Sequence, residues 1–286
     1  MDILNTKIKN ILAEKATKIK PENIKKDVTI FNITGTYESE YNVKINSIFA
    51  RTSTIQNSIT EIQEVDFSNL TNADSKLASM PNLVTVSLKN TNKITNFTNL
   101  FKNDTALKNI NLFDTGKATN MAGMFSGCSS IENIPLFNTS KAQTLATMFL
   151  NCTSLKIIPA FDGSSLTNVT QMFEGCTALT SVPLFDTSHV VVSNCQSMFK
   201  NCTSLQTVPQ FNFSGITTSM NAMFTNCPSL SDESLNNIMA MCAATGITNT
   251  SYMSLAVIGL SSTQANHCTT LSNWASFSAA GWTTGY

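Results

Sequence analysis

Two sets of residues in this chain recur at a spacing that could support chemistry. Cys128, Cys152, Cys176, Cys202 and Cys227 stand 24, 24, 26 and 25 residues apart. Asp114, Asn138, Asp162, Asp186 and Asn212 keep the same beat. Cysteines at one level of a repeat could pair as disulfides or hold a metal. A carboxylate in every repeat would offer a cation ligands about 5 Å apart. Other features of the chain argue against both. There is no Cys-x-x-Cys, and His189 and His267 lie far apart. Identical stacked cysteines, with Cys195, Cys242 and Cys268 making up the rest, read as small buried hydrophobes kept as free thiols. Neutral Asn alternates with Asp in the second set, which fits short acceptors that satisfy backbone N–H groups at turns. No Ser/His/Asp constellation, Gly-rich phosphate loop or zincin helix is present. The expectation is a protein that is not an enzyme, with no catalytic, cofactor-binding or metal residues and no cofactor.

The beat belongs to a longer unit. Leu100-Phe101, Met124-Phe125, Met148-Phe149, Met172-Phe173, Met198-Phe199 and Met223-Phe224 mark coils of 24–26 residues, the period of a solenoid. Met121, Met124, Phe125 and Cys128 sit at i, i+3, i+4 and i+7, the pattern of one helix face. Each coil is therefore expected to open with a short α-helix. Thr119, Thr167 and Ser193 stand where N-caps would. Gly127 and Gly175, or Asn103, Asn151, Asn201 and Asn226, suit a helix end that needs positive φ. Phrases such as 155–162 and 179–186 then read as short parallel strands closed by Asp-Thr-Ser or Asp-Gly-Ser turns. Ile158 and Phe161 are three apart and cannot share a face of one straight strand. Either Pro159 bends the chain or the strand stops before the phenylalanine. The repeat core is assigned to Phe101, Phe125, Phe149, Phe173, Phe199 and Phe224 with the five repeated cysteines.

The run Met-Phe-x-x-Cys-x-x-Leu-x-x-Ile-Pro-x-Phe-Asp-Thr-Ser resembles the BspA-type leucine-rich repeats of bacterial surface proteins and of proteins encoded in phage genomes. The first coil departs from it, with Asp104 for the cysteine and Asn111 for the proline, and the fourth is lengthened by Val191-Val192. The resemblance and the period imply an α/β solenoid, a leucine-rich-repeat-like stack of about six coils over 95–230. Residues 41–94 read as a transition and N-terminal cap, with irregular first strands at 62–68 and 83–89. Residues 231–286 read as a C-terminal helical cap. In it a helix runs from Ser231 to about Cys242 with Leu235, Ile238, Met239 and Cys242 on one face. A second helix lies within 262–280, and Trp274 and Phe277 pack on the last coil.

Residues 1–40 read as a separate helix/β module for attachment or oligomerisation. Ile3, Ile8, Ile11 and Leu12 form an apolar stripe that needs a partner surface. Residues 27–37 alternate as a strand with a turn near Gly35. Segment 13–38 is similar to modules of virion proteins from phages infecting Firmicutes. That resemblance implies a virion component whose N-terminal module binds other virion proteins, with a homo-oligomer in the particle. The solenoid would then be displayed towards a host-surface glycan or protein, as a tail-fibre or baseplate receptor-binding protein. A capsid decoration protein or a BspA-like bacterial adhesin is the alternative. Only 13% of residues are charged and the formal net charge is zero, which argues against nucleic acid, since that would call for a basic face. No apolar run reaches membrane-spanning length, and the N-terminus lacks the pattern of a secretory signal. The expected site is the virion, after synthesis in the host cytoplasm.

Overall fold

The computed structural model describes residues 33–34, 44–45, 60–191 and 194–286. Ile3, Ile8, Ile11, Leu12 and Ser193 lie outside the described residues, as does most of segment 13–38. Within it, β1 (Ile33–Thr34) pairs antiparallel with β2 (Lys44–Ile45), a ladder that crosses the boundary drawn at residue 40. β3 (Glu61–Asp66), β4 (Thr85–Lys89) and β5 (Asn109–Ile110) form a parallel sheet in that order, with an irregularity between Ile62 and Val65.

The expected short helices are not there. Where Met121, Met124, Phe125 and Cys128 should form one helical face, the backbone makes consecutive tight turns. Gly123 and Gly127 sit at φ +62° and +78°. Met124 N–H donates to Met121, Ser126 to Gly123 and Cys128 to Phe125, each spanning three residues. The intervening N–H groups of Met121, Gly123, Phe125 and Gly127 donate instead to Thr144, Ala146, Met148 and Leu150 of the next coil. A left-handed residue every fourth position makes a continuous i→i−4 ladder impossible. The turns bury the four side chains all the same. Over eight residues, a cycle of four buries the same positions as a helix of about 3.6 residues per turn.

This turn unit recurs at 73–80, 97–104, 121–128, 145–152, 169–176, 195–202 and 220–227. The first lies upstream of the Met-Phe beat and carries Leu77 and Met80 where later units carry Phe and Cys. The expected caps also move by one residue. Asn120, Thr144 and Asn168 accept from the N–H two residues on, while the Thr119 and Thr167 hydroxyls donate to Thr95 and Gln143 carbonyls of the preceding coil.

The strands thin out along the stack. After β5 only isolated parallel bridges remain on that side, Asn133 to Ile157 and Ser181 to Thr207. In this coil the bridge is at Ile157, before the phenylalanine, and Ile158 and Phe161 are both buried.

The C-terminal region is helical. α1 (Asp232–Ala243) is capped by Ser231, whose hydroxyl accepts from the Ser234 N–H, and buries Leu235, Ile238, Met239 and Cys242. Segment 262–280 holds two helices where one was expected, α2 (Ser262–Cys268) with a Ser261/Gln264 capping box and α3 (Trp274–Ala279). α3 lies against α1. The loop 254–259 takes the place of a further coil, since Val257 and Ile258 carbonyls accept from Ala222 and Phe224 of the last unit.

Candidate binding face

The residues assigned to the repeat core line the interior. Phe101, Phe125, Phe149, Phe173, Phe199 and Phe224 stack with neighbouring ring centroids 5.5–5.8 Å apart and planes within 13° of parallel. Cys128, Cys152, Cys176, Cys202 and Cys227 are buried free thiols. Each Sγ–H donates to a phenylalanine carbonyl one coil back, 3.0–3.1 Å away, from Cys128 on Phe101 to Cys227 on Phe199. Burial pushes these thiols up, to about 12 for Cys227, and neighbouring thiols add to the rise at Cys152. Only the protonated form can donate, so burial and hydrogen bonding favour the same state. In the first coil Asp104 fills this place and its Oδ1 accepts from Met80 N–H at 2.7 Å. These residues hold the stack together and leave nothing reactive exposed.

The Asp/Asn column builds turns. Oδ1 of Asp114, Asn138, Asp162, Asp186 and Asn212 each accepts from the N–H two residues on. Hydrogen bonds from Ser164 and Ser188 hold Asp162 and Asp186 below the usual carboxylate range. Buried Thr115, Thr139 and Thr187 then donate to the carbonyls of Asn138, Asp162 and Asn212 in the next coil. Among the described residues no three His, Cys, Asp or Glu converge as metal ligands. Asp186, Ser188 and His189 are neighbours, but the aspartate bonds the serine while the imidazole Nδ1 lies 3.2 Å from Ser188 Oγ. In a nucleophilic triad the carboxylate must orient the imidazole. His267 is elsewhere, 2.8 Å from Asp232.

The surface that stands out lies on the strand side. Leu112, Leu136 and Leu184 occupy one repeat position, with Ala160 between the last two, and are 62%, 62% and 60% exposed. Ile157, three residues before Ala160 in the same coil, is 68% exposed. Pro135, Pro159, Pro183 and Pro209 form a half-buried column next to this row. A single exposed leucine means little, but a column in register, with rungs about 4.8 Å apart, is a contiguous apolar patch. Where this face begins, a hollow of about 390 Å³ is lined by Thr85, Lys108, Asn109, Asn111, Asn133 and Pro135, among others. Sequence reasoning noted Asn111 in place of the proline but read neither the leucine row nor the hollow as a site. The available signal was the break in the proline column at Asn111 and the leucine repeated between proline and phenylalanine.

The family model described as "Mycoplasma protein of unknown function, DUF285" matches residues 43–156, 68–182 and 131–238. Among solved structures, the T. pallidum leucine-rich repeat protein aligns over 63% of this chain and 77% of its own, at 17% identity and a TM-score of 0.32. No curated protein matches the chain.

Proposed function

This chain belongs to the DUF285 family, a BspA-type leucine-rich repeat family, and from that premise we propose that it is a surface-binding protein and not a catalyst. The observation that carries this reading is the in-register row of exposed Leu112, Leu136 and Leu184 on the strand side, interrupted at Ala160. Burying large aliphatic side chains on a partner stabilises a complex by roughly 25 cal/mol per Å² of apolar surface removed from water. The partner is a component of a cell surface, met by the row and by the polar side chains flanking it. Two placements follow for the display of this face. The family favours a bacterial surface, in the manner of an adhesin. The resemblance of segment 13–38 to virion modules favours attachment to a phage particle through residues 1–40, as a tail, baseplate or capsid component in homo-oligomeric form.

The test is binding of the fluorescently labelled full chain to animal epithelial cells and to Firmicutes cells. Saturable binding to either, lost at least tenfold in Leu136→Asp/Leu184→Asp with an unchanged thermal midpoint, is the expected result. Absence of binding to both, or binding that the double variant retains, overturns the reading. Antibody labelling of the producing cells and of purified particles then separates the two placements.

A further inference from the structure

We infer that the hollow at the start of the strand side binds an acidic saccharide. This rests on the surface-binding reading and names the ligand class for one part of that face. The hollow has a structural cause. At positions 135, 159, 183 and 209 the repeat carries proline, but in the coil of β5 the place is taken by Asn111. Its side chain folds back on the preceding strand, accepting from Leu88 N–H at 2.8 Å and donating to Leu88 carbonyl at 3.2 Å. The hollow of about 390 Å³ lies around this point, within the size range of small-ligand sites.

Its floor is satisfied and its rim is not. Asn109 Nδ2 donates to Thr85 Oγ1 at 3.3 Å, which leaves the Asn109 carbonyl and its second N–H outward. Asn133 is exposed and its carboxamide makes no hydrogen bond to any described residue, and the Ser87 hydroxyl in the wall makes none either. Asn109 and Asn133 lie on neighbouring coils, and both line the hollow. A carboxamide both donates and accepts, which is what a sugar hydroxyl requires of its partner. Pro135 and Ile110, both half-buried, supply apolar surface for the C–H face of a ring.

The charge decides which saccharide. Glu132 is bound by Lys156 at 2.9 Å and is held below the usual carboxylate range first by that hydrogen bond, with a smaller contribution from Lys108. Lys108 itself has no ion-pair partner among the described residues, and it lines the hollow beside Asn109. A ligand carboxylate or sulfate would take that ammonium in a charge-assisted hydrogen bond while its hydroxyls meet the two carboxamides.

The experiment uses the full chain with polygalacturonate, hyaluronate and, as the neutral control, dextran. Binding to an acidic polymer at least tenfold tighter than to dextran is expected, weakening as salt is raised. Lys108→Ala should reduce it at least fivefold, and so should Asn133→Ala, with the thermal midpoint unchanged because both side chains are exposed. Lys141→Ala, an exposed lysine outside the lining of the hollow, should leave it within twofold. Equal binding of dextran, no binding of any polymer, or affinity unaffected by Lys108→Ala overturns the inference. If cells are still bound through the leucine row in that case, the surface-binding reading stands without it.

Discussion

Along the turn column every unit from 97–104 to 195–202 alternates its N–H groups between its own coil and the next. Along the strand column, by contrast, pairing shrinks from β3 and β4 through the two-residue β5 to single bridges. Both columns share one period and differ in what the repeat places there. The turn column carries Met, Phe and Cys in almost every coil, so each rung meets its own shape. The strand column carries proline at 135, 159, 183 and 209, which has no N–H to give a ladder. Its second phenylalanines show the same looseness. Phe113–Phe137 and Phe185–Phe211 are tilted by 50° and 58°, and Phe161–Phe185 meet edge-on at 82°. One side is thus committed to holding the stack together. The other is released from continuous backbone pairing beyond β5; the outward leucines lie on it, and the hollow lies where the pairing gives out.

If the turn column holds the stack, alkali should destroy it. Cys128, Cys152, Cys176, Cys202 and Cys227 all lie there, and burial raises every one. The unfolded chain loses these protons near the ordinary thiol value of about 8.5, while the folded chain keeps them to about 12 at Cys227. The sign follows. Their contribution is whole below pH ~8.5 and is lost as pH climbs through the folded values. The loss is ~1.4 kcal/mol per pH unit for each thiol. Together they should exceed a domain's total stability of about 5–15 kcal/mol within a few pH units. The thermal midpoint should therefore collapse between pH 9 and 11, and Cys152→Ala should reduce the slope by one proton. A midpoint that stays flat over that range would break the comparison.

Phenylalanine truncation sharpens it. Phe149→Ala and Phe173→Ala each remove a ring stacked on both sides, and should cost about 3–5 kcal/mol in urea denaturation. Phe161→Ala should cost less, by ~1 kcal/mol or more, because its edge-on neighbour and the absent ladder let the site relax. Equal losses at the three positions would mean that the columns share the load.

The next effect tests the left-handed positions. At Gly127 an added Cβ would lie 2.4 Å from Asn103 Oδ1, and at Gly175 2.3 Å from Asn151 Oδ1. An asparagine in one coil thus leans over a glycine in the next. Gly127→Ala should cost about 2 kcal/mol, from the collision and from the φ of +78°. Adding Asn103→Gly should return about half of that by removing the collision. Simple additivity of the two changes would show that the Asn/Gly pairing carries no energy.

The buried set was legible in the sequence because burial imposes period and residue type together. Met121, Met124, Phe125 and Cys128 are in the core as the spacing required. The backbone was legible only in part: Gly127, Gly175, Asn103, Asn151, Asn201 and Asn226 take the positive φ their types suggested, but at the ends of turn units and not of helices. Thr147, Gln171, Ser197 and Ala222 adopt positive φ with no local signal for it. Only the hydrogen bonds they give to the following coil compensate, and those are non-local. The C-terminal helix α1 was readable for the opposite reason. Ser231, the acidic first turn and a face spaced at 3–4 residues all act within one element. The exposed leucine row was missed because an exposed leucine resembles a core leucine in sequence. Which way Leu136 points depends on where the strand ends, and that is set by Pro135 and the coil beneath.

The smallest expected effect on stability is the one that separates the two sides most cleanly. Leu136→Ser and Leu184→Ser change large apolar residues inside the repeat motif, one position before the core phenylalanines Phe137 and Phe185. If sequence position governed the outcome, each would cost as much as a core leucine, ~2–5 kcal/mol. The structure leaves 62% and 60% of these residues in water, and their backbones join no ladder that a serine would disturb. Surface substitutions of this kind stay within about 0.5 kcal/mol. Urea midpoints should therefore be unchanged, with solubility improved as the apolar patch shrinks. A loss above ~1.5 kcal/mol at either position would place the leucine row in the core and remove it from the proposed binding face.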